Sequence, residues 1–128
     1  MGDYPAATVS LQQALKLSRD FGHRPGEAQT LTGLGDLSSR TGRTQQAREH
    51  YTQALAIARG IGLPLEEASA LEGLGRAYLQ EGTTQEGATL LRQALAIYQR
   101  IGAPGARRAE EALRHHPDSH QANKVTGR

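Results

Sequence analysis

The chain has 128 residues, 37% apolar but only 4% aromatic, a length that suits one domain or a short repeat array. It contains no cysteine, which excludes disulfides, cysteine-based zinc knuckles and thiol nucleophiles. The pI of 9.3 suggests a polyanion binder, but a net charge of +2 gives too weak a field for one.

The apolar residues, mostly Ala and Leu, follow a helical period and place six helices along the chain. The first, 4–21, carries Ala7, Leu11 and Ala14 on one face. The second, 26–40, spaces Leu31, Leu34, Gly35 and Leu37 along another. Thr41-Gly42-Arg43 then stops it, with Gly42 suited to the left-handed position past a helix end. Thr44 is placed to cap the third helix, 44–60, whose buried face is Ala47, Tyr51, Ala54, Leu55 and Ala58. The breakers of Gly60-Ile61-Gly62-Leu63-Pro64 precede the fourth, 65–80, where Glu66 and Glu67 in the first turn suit the helix dipole. A fifth helix at 84–100 and a sixth at 105–115 follow, the last carrying Ala106, Ala109, Ala112 and Leu113 among charged residues. Residues 116–128 have no periodicity, and a disordered tail is expected there.

Sliding the chain against itself by 40 residues aligns these helices. Gln13-Ala14-Leu15 returns as Gln53-Ala54-Leu55 and Gln93-Ala94-Leu95, and Phe21-Gly22 returns as Ile61-Gly62 and Ile101-Gly102. Leu31, Gly33, Leu34 and Gly35 return as Leu71, Gly73, Leu74 and Gly75. A unit of this size cannot bury its own apolar face, so stacked units are implied. Short connections make neighbouring helices antiparallel. The fold class is therefore all-α, an α-solenoid of antiparallel helix hairpins with about six helices.

From Ala28 the first full unit reads A-x-x-L-x-x-L-G-x-L-x-x-x-x-G-x-x-x-x-A-x-x-x-Y-x-x-A-L. This resembles the helix A then helix B signature of the tetratricopeptide repeat family nearly position for position. Gly35 and Ala47 match the small residues where the two helices cross, Tyr51 the large aromatic and Ala54 a further small residue. The unit from Ala68 repeats the match through Leu71, Leu74, Gly75, Tyr78, Gly82, Gly87, Leu91 and Ala94. The family's common unit has about 34 residues; the 40-residue variant seen here resembles arrays in large bacterial transcriptional regulators. The resemblance divides the chain into helix B of a truncated first repeat at 1–24, units at 25–64 and 65–104, a capping helix at 105–115 and the tail at 116–128. The start in mid-repeat reads as a fragment of a longer array.

The resemblance implies a ligand groove on the concave side, which helix A lines. The groove positions carried over are Gln29, Thr32, Asp36, Ser39 and Arg40 in one unit and Ser69, Glu72, Arg76, Leu79 and Gln80 in the next. Asp36 and Arg76 are equivalent and could pair with each other or with a peptide. Gly33 and Gly73 lie mid-helix, where glycine costs about 1 kcal/mol against alanine, so each is expected to serve close packing or to make room for a ligand backbone. The Lys and Asn clamp of the chaperone-binding members is not reproduced.

No other chemistry stands out. Gly33-Leu34-Gly35 and Gly73-Leu74-Gly75 follow no strand and lack the third glycine of a dinucleotide loop. His115, His116 and His120 sit at a helix end and in the tail, so neither a metal nor another cofactor is expected. His23 and His50 are isolated and expected at the surface. No nucleophile, base and acid fall at catalytic spacing, so an enzyme is not expected. Arg107-Arg108 is too short for a nucleic-acid footprint. No apolar run approaches the ~18 residues of a membrane span, and Met1-Gly2-Asp3-Tyr4-Pro5 lacks a signal-peptide pattern. Ala6 stands where myristoylation needs Ser or Thr. The expected protein is a cytoplasmic scaffold that binds a protein or peptide in its groove, without membrane or nucleic acid, as part of a bacterial transcriptional regulator. The alternative is a structural or oligomerisation spacer. Helix 4–21 lacks a partner helix, and its Ala7, Leu11 and Ala14 face is expected to mediate self-association or to meet upstream repeats.

Overall fold

The computed structural model describes residues 3–115. Six helices follow in order: α1 Tyr4–Asp20, α2 Arg24–Arg40, α3 Thr44–Ile61, α4 Pro64–Gln80, α5 Thr84–Ile101 and α6 Gly105–Arg114. The expected tail at 116–128 lies outside the described residues. No helix among the described residues is long and apolar enough to cross a membrane.

The turns are glycine turns. Gly22, Gly42, Gly62, Gly82 and Gly102 all hold φ between 65° and 86°, at intervals of 20 residues. A side chain there would collide with the following carbonyl, so glycine is the residue that lets each helix reverse. Helix starts are more varied. The Asp3 side chain accepts from Ala6 N at 3.2 Å, and His23 Nδ1 accepts from Gly26 N at 2.9 Å. Thr44, expected as a cap, is instead the first helical residue of α3. Arg43 holds the cap position and makes no side-chain capping bond.

Each helix packs against its chain neighbours, α2 also touches α4, and α4 touches α6. Helices α1, α3 and α5 do not meet one another. The array is therefore two-layered, with α2, α4 and α6 close together on the inner side and α1, α3 and α5 splayed on the outer. One core runs through it, including Ala28, Leu31, Tyr51, Leu71, Ala94 and Tyr98. Small residues let the backbones approach, and each buried Leu contributes roughly 1.5–3 kcal/mol.

The face of α1 differs from the expectation. Ala7, Leu11 and Ala14 are half-buried against α2, and an added methyl on Gly33 would lie 3.3 Å from Leu11 Cδ2. The open apolar residues of α1 are Val9, Leu17 and Phe21, 52%, 57% and 81% exposed. Leu17 corresponds to Ile57, which lies in the core and is 7% exposed. The difference follows from position, because no helix A precedes α1 among the described residues.

Glu27 is buried at the start of α2 and accepts from Arg19 Nε at 3.0 Å and Arg24 Nη1 at 2.8 Å. Burial alone would raise its pKa, but the two guanidinium groups outweigh it and hold the carboxyl below its ordinary 4.5. A depressed carboxyl stabilises the fold above pH 4.5, and that contribution is lost as pH falls through the folded value. Glu27→Gln should therefore lower the thermal midpoint at pH 7 and flatten its fall in the acid range. An unchanged acid limb in a pH series of melts would contradict this assignment.

Candidate interaction groove

The inner face is assembled from turns of α2 and α4 that point away from the core. At helical spacing, Gln29, Thr32, Asp36 and Arg40 form one stripe, and Ser69, Glu72, Arg76 and Gln80 the matching one. Ser39 and Leu79 lie at the edge of these stripes, in nearly the same direction as Thr32 and Glu72 two turns earlier. Leu79 packs over Gly87, where an added methyl would sit 2.8 Å from Leu79 Cδ2, so it faces α5 and closes its own hairpin. Ser39 holds the same register on α2.

Two tyrosines from the outer helices reach this face. The Tyr51 ring from α3 lies between Gly35 of α2 and Gly73 of α4, in contact with both. Its hydroxyl donates to Asp36 Oδ1 at 2.5 Å. The Tyr98 ring from α5 rests on Gly105 of α6, and its hydroxyl donates to Glu72 Oε1 at 2.8 Å. Ser69 Oγ lies 3.3 Å from the same hydroxyl. Burial, then the neighbouring carboxylate, pushes the Tyr51 phenol well above its ordinary value. Burial, with Glu72 adding to it, does the same for Tyr98. Both phenols therefore remain donors. The room expected over Gly33 and Gly73 is taken by Leu11 and Tyr51, so these glycines admit side chains of the preceding outer helix, not a ligand.

Glu72 departs furthest from a free groove residue. It is 8% exposed and accepts three further hydrogen bonds from arginines, with a fourth arginine nitrogen at ion-pair distance. Arg108 Nε and Nη2 approach its two oxygens at 3.2 Å each, and Arg76 Nε and Nη2 approach Oε2 at 3.2 Å. Arg76 Nη2 also donates to the Arg108 carbonyl at 3.4 Å. The Arg108 guanidinium sits 5.8 Å from the Tyr98 ring centre, and the Glu72 carboxylate raises its pKa. A buried carboxylate is tolerated because its lone pairs are filled. Glu72 thus anchors α6 and is spent within the fold. Asp36 and Arg76 do not pair: Asp36 is held by Tyr51, and Arg76 by Glu72.

Gln29, Asp36, Arg40, Arg76 and Gln80 remain exposed. Gln29 Nε2 donates to Glu66 Oε2 at 3.1 Å across α2 and α4, and Gln80 Oε1 lies 3.5 Å from Thr44 Oγ1. Thr32 Oγ1 is buried without a partner. The open wall offers one carboxylate, two guanidinium groups and two amides, a set that can hydrogen-bond both donors and acceptors of an extended peptide. Among the described residues, no three His, Asp or Glu side chains gather to hold a metal ion. Of the tail histidines considered above, His116 and His120 lie outside those residues.

Sequence reasoning missed Tyr98, Arg108 and Gly105 as parts of this wall. The available signal was the glycine opening α6, since a small residue there leaves space for a ring on the facing helix. A tetratricopeptide repeat model matches residues 1–60, and a second tetratricopeptide repeat model matches residues 34–100. No curated protein matches the chain.

Proposed function

This chain belongs to the tetratricopeptide repeat family, and from that membership we propose that its inner face holds an extended segment of another protein. Repeats of this family mediate protein–protein interaction as non-catalytic scaffolds. The observation that carries the reading is the row of exposed side chains of both signs, with Asp36 and Arg76 at equivalent places on successive inner helices. Asp36 is aimed by Tyr51 and Arg76 by Glu72, so both are partly ordered before a ligand arrives. The double variant Asp36→Asn, Arg76→Gln keeps the shapes and removes both charges. In affinity capture followed by mass spectrometry, it should lose the partners that the wild-type chain retains, about tenfold or more, with helicity unchanged. Equal capture by both proteins would leave the spacer reading in its place.

The outer end supports a second role. By register, Leu17 stands where α3 carries the buried Ile57, and together with Val9 and Phe21 it leaves apolar surface open on α1. We read this side as a self-association surface. Sedimentation should show association that rises with concentration and that Leu17→Glu abolishes; a strict monomer at high concentration removes the idea.

The narrower reading, the sensing segment of a bacterial transcriptional regulator acting in the cytoplasm, rests on the 40-residue period. A DNA-binding or ATP-binding segment encoded in frame ahead of Met1 is the observation that tests it.

A further inference from the structure

On the outer side, the splayed helices leave two clefts in the same register, one between α1 and α3 and one between α3 and α5. The downstream cleft is closed by its own side chains. Arg48 of α3 lies 4.4 Å over the Tyr78 ring, donates to Tyr78 Oη at 3.2 Å and pairs with Glu81 at 2.7 Å. A hollow of about 500 Å³ remains there, but Tyr78 and residues of α5 line it and none from α3 does.

Forty residues earlier, these three positions hold Thr8, Ser38 and Thr41. The guanidinium, the ring and the carboxylate are all missing, and a cleft of about 550 Å³ opens between α1, α2 and α3. Its floor is Leu34 and Leu37. Its walls are rich in acceptors. Thr8 Oγ1 gives its proton to the Tyr4 carbonyl at 2.8 Å, and Thr41 Oγ1 gives its proton to the Leu37 and Ser38 carbonyls at 3.1 Å each. Both hydroxyl oxygens therefore keep free lone pairs. Glu49 adds a carboxylate at the rim.

His50 also lines the cleft, and its Nδ1 is buried with no partner. The sequence placed this histidine at the surface; it is half-buried, and burial lowers its pKa, which disfavours a second cation in the cleft. Arg43 at the mouth is the one opposing charge.

We propose that this outer cleft is a binding site for an arginine side chain of a partner polypeptide, which enters where Arg48 lies in the next cleft. An apolar floor suits the methylene stem, and several acceptors around it suit the five donors of a planar guanidinium. A lysine ammonium carries its three donors at one point and does not reach acceptors spread over both walls. The site lies on the face opposite the inner groove and does not depend on it.

The test is a titration of isotope-labelled protein with acetyl-arginine amide, followed by amide shifts in NMR. Saturating shifts are expected at Thr8, Ser38, Thr41 and His50, and none of comparable size with acetyl-lysine amide. Ser38→Tyr supplies the ring over which Arg48 lies downstream and should tighten binding by severalfold, whereas Glu49→Gln should weaken it by severalfold. Arg43→Gln should tighten it by about threefold. Asp36→Asn, Arg76→Gln should leave it unchanged. Shifts that fail to saturate, an equal response to the lysine compound, undiminished binding by Glu49→Gln, or weaker binding by a folded Ser38→Tyr would overturn the proposal. Tighter binding of free arginine than of the blocked form would overturn the polypeptide source.

Discussion

Gly73→Ala is expected to destabilise the fold by about 2 kcal/mol, against the gain of about 1 kcal/mol that the same change brings to an isolated helix. The reason is the Tyr51 ring. An added methyl on Gly73 would overlap Cε1 and Cζ of that ring and lie 2.7 Å from Cδ1. The ring cannot retreat, because a methyl on Gly35 behind it would already be 2.6 Å from Cε1. At the same register, Leu11 faces Gly33 at an easier 3.3 Å. Tyr51→Leu should therefore rescue Gly73→Ala. Alone, Tyr51→Leu loses ring contacts and the bond to Asp36, at a cost of about 2 kcal/mol. The double variant should cost at least about 1 kcal/mol less than the sum of the two. Urea unfolding followed by circular dichroism measures this cycle. Strict additivity would mean that ring and glycine do not meet.

Glu72→Ala is the second large effect, and it should fall mainly on α6. The Tyr98 hydroxyl, in a fully buried residue, would lose its acceptor, which costs about 1–3 kcal/mol. Arg76 and Arg108 are roughly half exposed and can turn to water, so their lost ion pairs add little. The expected total is about 2 kcal/mol, with Glu72→Gln nearer 1 because its amide oxygen still accepts from Tyr98. Hydrogen exchange should show faster exchange across Gly105–Arg114 and little change in α2 and α3. Uniform loss of protection along the chain would count against Glu72 as an anchor of one helix.

The helix ends were legible in the sequence to within two residues because periodic apolar positions and glycine stops agree at every turn. The start of α2 was read late, at 26 against Arg24, because His23 caps through an imidazole nitrogen rather than a residue usual there. The inner stripes were legible as a register but not as an environment. Nothing local distinguishes Thr32 from Glu72, yet Glu72 is buried by Arg108, 36 residues away. Leu79 was misplaced because it stands at the edge of the stripe, where the bare Gly87 of α5 leaves room for its side chain to turn into the hairpin. The cleft between α1 and α3 was invisible because it depends on what is missing: Thr8, Ser38 and Thr41 are unremarkable until Arg48, Tyr78 and Glu81 show what the space can hold.

Since α1 meets only α2, and α6 only α4 and α5, tension applied between α1 and α6 would pass through one end seam, the middle and the other end seam in series. Compliances then add while strengths do not, and the weakest seam sets the yield force. That seam lies at one of the two ends, where α1 buries no residue fully and α6 has only ten residues. Stretched slowly, the array should shed an end helix first and leave the tyrosine-bolted middle intact.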